Sequence, residues 1–332
     1  MKHRKFVFAS SLVMIGIAAV IGGMALYTNY AVKASVPDLP DTLNHLPSDY
    51  QVIFGMNVER FVASPAYERH VEMHGEKIGN DLEVFIEQTG VDPRRDISYL
   101  VAAGRAGDQG KGRGVVIVAG RFNRDTITSY IRSKTSPVEL QYGGALVMMI
   151  PDAKNDAIEK GIAFLSDQEI ALGDLDSLKA ILDVRADPSK SILNNSNIAP
   201  LISNISTNEM FWFAGDAAGI LSKAPVTNPL GANVASIRNI FGTLDISDIV
   251  SGKITATAAD AESAAKLVDV AKGLIALGQL AGDQNPDFMT LLQGLVITQD
   301  ASKVSVTLNI PLDLLERLGQ ARELLKQQVP SI

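Results

Sequence analysis

The hydrophobic positions of this chain begin as one unbroken run, Phe6 to Tyr27 (FVFASSLVMIGIAAVIGGMALY), with no charge inside it. A helix of that length covers roughly 33 Å at about 1.5 Å per residue, enough to cross a hydrocarbon core of about 30 Å. Lys2, His3, Arg4 and Lys5 precede the run, and only Lys33 follows closely. That asymmetry predicts a short cytoplasmic tip (residues 1–5), a transmembrane signal-anchor helix (6–27) and an exported remainder. The competing reading is a signal peptide cleaved after Ala34, where Val32 and Ala34 offer small residues. The apolar run is longer than a usual signal core of about 7–15 residues, which favours the uncleaved anchor. Residues 28–49 carry Pro37, Pro40 and Pro47 and predict an extended stalk, because proline fixes φ and removes a backbone donor.

Beyond the stalk the runs shorten and turn residues punctuate them. Gln51 to Val58 predicts a strand, and Phe61 to Gln88 a helix interrupted near Ser64-Pro65 and at Gly75 and Gly79. Leu82, Phe85 and Ile86 give it an apolar stripe, and Gly90 with Pro93 closes it. Ile97 to Ala103 and Val115 to Ala119 predict a hairpin around a glycine-rich tip. Asn123 is placed to cap a helix from Asp125 to Ser133. Leu140, Ala145 to Ile150, Ile162 to Leu165 and Glu169 to Leu172 predict strands, and Asp174 opens a helix to Asp183.

A polar, turn-rich stretch, residues 187–205, then predicts a linker between a first unit (50–186) and a second (206–328). After it the order of elements starts again. A shift of 160 residues lays Gly215 on Gly55 and Pro225 on Pro65. Met210 to Ala214 and Lys253 to Thr257 predict strands. Asp260 caps a helix from Ala261 to Leu277, and Val304 to Asn309 leads into a helix from Pro311 to Lys326. The expectation is an α+β fold: an internal duplication of two split-βαβ (ferredoxin-like) units, each an antiparallel sheet with helices on one face.

Charge narrows the partners. The formal net charge is −7, and all 37 acidic side chains follow residue 34, so the exported part is more acidic than the whole. Nucleic acid is excluded as a partner on that ground, since phosphates are held by clustered Lys and Arg. The chain contains no cysteine, which removes disulfides and thiolate chemistry.

Few residues invite chemistry. His70 and His74 stand at a metal-binding i, i+4 spacing, but Val71-Glu72-Met73 between them departs from H-E-x-x-H. No third ligand is identifiable, so no metal or cofactor is expected. Gly104 to Gly114 (GRAGDQGKGRG) mimics a phosphate loop, but a strand follows it where a helix N-terminus is needed. Arg105, Lys111 and Arg113 make that tip locally basic. The pairs Asp92/Asp96 and Asp174/Asp176 fall at helix starts, where carboxylates cap backbone N–H groups. Trp212, between Phe211 and Phe213, is core by default. It becomes a ligand-binding candidate only if it faces a cleft.

The stretches LPSDYQVIFGMNVERFVASPAY, TGVDPRRDISYLVAAGR and GIAFLSDQEIALGDLDSLKAIL resemble a group of uncharacterised bacterial envelope proteins. Its members have one N-terminal membrane segment and an exported region opening with LP-x-D and a strand. The resemblance implies a bacterial source and membrane association, and carries over no functional residue. The expected protein is a non-enzymatic, single-pass protein of the inner membrane. Residues 6–27 would lie in the bilayer, and the exported region would bind a protein partner or a small or apolar ligand. The alternatives are a structural subunit of a larger membrane complex and a motif-less carboxylate-based hydrolase or transferase.

Overall fold

The computed structural model describes residues 39–105, 112–151, 160–218, 236–282 and 286–317. The expected membrane helix, the tip residues 106–111 and the end of the Pro311–Lys326 helix lie outside the described residues. Two compact units emerge: residues up to Ala63 with Tyr67–Gly215, and Ser64–Ala66 with Asp216 onward. The division therefore falls after Gly215, not in the expected linker. Residues 187–205 instead pack into the first unit through 3-10 turns at Pro188–Lys190 and Ile192–Asn194, burying Ile192, Ile198, Leu201 and Ile202.

In the first unit the elements are α1 (Leu39–Asn44), β1 (Val52–Asn57), α2 (Val58–Val62), α3 (Pro65–Thr89), α4 (Pro93–Asp96), β2 (Ile97–Arg105) and β3 (Arg113–Gly120). They continue with α5 (Arg124–Lys134), β4 (Val138–Tyr142), β5 (Ala145–Ile150), β6 (Lys160–Phe164), β7 (Glu169–Gly173), α6 (Leu175–Ala186), α7 (Ala199–Ile202) and β8 (Phe211–Asp216). Local chemistry sets many of the ends. Asn57, Asp92, Asn123 and Asp174 each accept a backbone N–H at a helix start. Gly90 adopts a φ of 70° just past α3, the left-handed residue that ends a helix without a Cβ penalty. Gly143 and Gly144, also left-handed, turn β4 into β5. α3 runs without interruption through Gly75 and Gly79, because glycine lowers helix stability without breaking the hydrogen-bond ladder.

The fold is α+β with a large antiparallel sheet. Among the described residues the first unit orders its strands β8-β1-β2-β3-β7-β6-β5-β4, every neighbour antiparallel. This order differs from the expected four-stranded split unit. Chain leaves β3 through α5 to the far edge and returns as the meander β4 to β7. β8, expected to open the second unit, pairs with β1 instead (Gly55 opposite Trp212).

Helices cover both faces of this sheet, not one. On one face Met56, Leu100, Val118, Met148, Ile162, Phe164 and Ile170 form a core with Val58, Tyr67, Ile127 and Ile131 of α2, α3 and α5. On the other, α6 lies across β3, β5, β6 and β7, and its Leu178, Ile181 and Leu182 are buried. Small residues line this second face. Gly161 approaches Leu178 to within a methyl's reach, and Gly55, Ala163 and Ala171 lie on the same side by register. With both faces buried, alternation disappears, and β2 is buried from Ile97 to Gly104.

The second unit comprises β9 (Ile237–Ile246), β10 (Ile249–Ala258), α8 (Ala261–Gly282), α9 (Pro286–Gln293), β11 (Leu295–Asp300) and β12 (Lys303–Pro311), ordered β11-β12-β10-β9. β9 and β11 add strands beyond those the pattern marks. Pro311 belongs to β12, opposite Ile249, and helical residues begin only at 312. Here alternation is retained. Ile240, Leu244, Val250, Ile254, Val304, Val306, Ile297 and Leu295 share one face by register. Thr243, Lys253, Thr255, Ser305 and Thr307 share the other. α8 packs on the apolar face through Ala264 and Val268, against Ala258 and Val304. Asp260 caps it, accepting from the Ser263 N–H at 2.7 Å.

Gly55 sits directly under Trp212, whose ring atoms occupy the space a Cβ would need. Gly55→Ala is expected to destabilise the protein by about 1–3 kcal/mol through overpacking. Urea unfolding followed by the emission of Trp212, the one tryptophan of the chain, checks this.

Candidate functional site: a buried carboxylate under the incoming chain

Glu169 opens β7 on the α6 side of the sheet and is only 8% exposed. A carboxylate so placed must be paired. Its partners come from 124 to 127 residues earlier: Thr42 Oγ1 donates to Oε1 at 2.8 Å, and His45 Nε2 lies 3.1 Å from Oε2. Burial pushes the carboxyl up, but the hydrogen bond and charge of His45, the Thr42 hydroxyl and the nearby charge of Arg185 outweigh it. The group is held below the usual carboxylate range.

Thr42 and His45 fall in the expected stalk, which is thereby corrected: its last part folds onto the body. Leu43, Leu46 and Tyr50 are buried. The Ser48 N–H donates to Lys190 O at 2.7 Å, the Ile192 N–H to Leu46 O at 2.7 Å, and the Asn195 side chain to Ser48 O at 2.6 Å. Asp49 pairs with Arg105 at 3.1 Å, and burial pushes the Tyr50 phenol up to about 12. The arrangement works as a clamp. Both carboxylate oxygens of Glu169 are engaged in holding residues 42–50, so its chemistry is attachment.

Among the described residues, those singled out from the sequence are not brought to one place. His70 and His74 lie on α3, and their side chains fall outside the described residues. No cluster of three or more metal-ligating side chains occurs among the described residues. Trp212 is fully buried, with its indole N–H donated to Tyr99 Oη, which in turn donates to Thr207 O at 3.0 Å. Burial pushes the Tyr99 phenol well up. Both ends of the glycine-rich tip carry paired cations, Arg105 with Asp49 and Arg113 with Asp176 at 2.6 Å, so two of its three basic groups already have carboxylate partners. Asp92 binds Arg94 in a two-point contact (2.6 and 2.7 Å), and Asp96 accepts from the Asp92 N–H at 2.8 Å. An open groove of about 600 Å³ runs along α5, lined by Asp125, Ser129, Tyr130, Ser133 and Lys134 with Gln88 of α3.

The His45–Glu169 pair is the feature that sequence reasoning missed. Its one signal is an acid heading an otherwise apolar strand, Glu169-Ile170-Ala171-Leu172.

No family model matches the chain, and no curated protein is similar to it. Among solved structures, the one titled "Structure of crystal form I of TP0453" resembles it over 86% of this chain and 96% of that chain, with 11% identity and a TM-score of 0.45. A likeness of that size carries no argument about fold or function.

Two outcomes are expected. The unfolded chain takes up a proton at Glu169 before the folded one does. The clamp therefore contributes stability above about pH 4.3 and loses it as the pH falls through the lower folded value. Glu169→Gln should flatten the acid limb of stability against pH, read from urea midpoints between about pH 3 and 6; an unchanged limb would count against the clamp. Tyr99→Phe strands the indole N–H of Trp212 and should cost about 1–3 kcal/mol, measured by the same unfolding.

Proposed function

We propose that this is a non-enzymatic, membrane-anchored protein of the bacterial envelope, held in the inner membrane by residues 6–27 and using its exported body to bind a protein partner. The observation that carries the reading is the charge-free run from Phe6 to Tyr27, with its basic residues on one side only. The clamp supports it: a chain arriving from a tether is fastened to the body at residues 42–50 by buried side chains, backbone hydrogen bonds and Glu169. The non-enzymatic reading draws support from the acids themselves, since Asp92, Asp174 and Asp260 cap helices and Glu169 holds the clamp. Partner binding draws support from the second unit, which exposes Leu274, Leu277 and Val296. A finer reading of that unit as a split-βαβ fold rests on β10 and β11, which run parallel with β12 between them and α8 and α9 as the crossover.

Fractionation of a bacterial host expressing the full chain tests the anchor. The expected result is a carbonate-resistant membrane protein with an intact Met1, and a C-terminal reporter active only outside the cytoplasm. A soluble product beginning at Ser35 refutes the anchor, and a cytosolic reporter refutes the export.

A further inference from the structure

Among the described residues β11 ends the sheet of the second unit, and its backbone points the way to a partner. The Asn309 N–H donates to Gly294 O at 2.9 Å, one step before the Leu295–Leu308 pair. Hydrogen-bonding direction alternates along an antiparallel strand. The N–H and C=O groups of Val296, Thr298 and Asp300 therefore face β12, and those of Leu295, Ile297 and Gln299 face away from the sheet. Natural edge strands are blunted by lysine, proline, bulges or inward charges. β4, at the edge of the first unit, follows Pro137 and carries Glu139 bound to Arg132 at 2.7 Å. β11 (LVITQD) has none of these devices, pairs with β12 without a register shift, and leaves Val296 55% exposed.

We infer that β11 is a pairing edge for a second copy of this chain, joined antiparallel about a two-fold axis at Ile297. Self-complementarity selects the copy. In this register Ile297 meets itself, Leu295 meets Gln299 of the second copy, and each of these residues exchanges both of its outward backbone hydrogen bonds. Val296 lies against Thr298 of the second copy and is covered. The one charge of the strand, Asp300, falls opposite Gly294, so no like charges oppose each other. The axis keeps sheet faces in common, so α8, which covers β11 and β12, approaches its own copy. α8 carries the exposed Leu274 (52%) and Leu277 (64%), apolar surface in keeping with a helix that gains a neighbour.

The absence of native cysteine makes the register directly testable. Val296 and Thr298 of the second copy form a non-hydrogen-bonded pair, with Cα atoms about 4.5 Å apart, inside the range that a disulfide spans. Full-length V296C and T298C, each in mild detergent, are oxidised singly and as a mixture. Disulfide-linked dimer is expected in the mixture and not in either variant alone. Gln299→Pro removes one outward N–H and leaves the bonds to β12 intact; it should abolish the dimer by sedimentation while leaving the circular dichroism unchanged. Cross-linking that is equal in all samples, or a folded monomer in every one, overturns the proposal. So does protection of the Ile297 and Gln299 amides from hydrogen exchange in a monomer, which would mean that another segment of the same chain occupies the edge.

Discussion

Burying an antiparallel sheet on both faces leaves no side on which a polar residue can sit without a partner, and the first unit is built under that constraint. Met56, Leu100, Val118 and Ile162 fill one face, and Ile53, Ile117, Val147 and Met149 fill the other. Each fully buried Ile, Leu or Met contributes about 1.5–3 kcal/mol. The second face admits α6 closely because glycine and alanine recur along it. Gly161 and Gly173 stand where a Cβ would press on Met149, Leu178 or Ser177.

Glu169 is a buried carboxylate on that face, and its need for partners explains the clamp. A carboxylate there needs donors, and the strands around it supply backbone already committed to the sheet. Donors therefore come from a separate piece of chain, residues 42–45. Around them Leu43, Leu46 and Tyr50 add apolar burial and Ser48, Ile192 and Asn195 add hydrogen bonds. The polar pair fixes where the segment sits, each hydrogen bond to the carboxylate contributing about 1.5–3 kcal/mol net, and the burial of Leu43, Leu46 and Tyr50 adds to its hold.

The second unit obeys a different rule. Its strands alternate, so one face is apolar and covered by α8 while the other carries Thr243, Thr255, Ser305 and Thr307, with Thr255 and Ser305 hydrogen bonded at 2.9 Å. Among the described residues its buried cluster centres on Ala258, Ala264, Val268 and Val304. Exposed leucines on its helix and an undefended edge leave it surface to share.

Local sequence determined what local physics decides. The caps at Asn123, Asp174 and Asp260, the left-handed Gly90, the Gly143-Gly144 turn and the α+β class were all legible, because each depends on residues within a few positions of one another. The continuous runs of β2 and β3 also contained the two covered faces, since a half-exposed strand would alternate. The strand order, the pairing of β8 with β1, the packing of residues 187–205 and the meeting of His45 with Glu169 were decided only by the tertiary structure. They join residues that lie from about 50 positions apart (Ala119 with Glu169) to more than 150 (Val52 with Gly215). Which of many apolar strands becomes whose neighbour depends on how the whole set fills space, and no spacing along the chain records that.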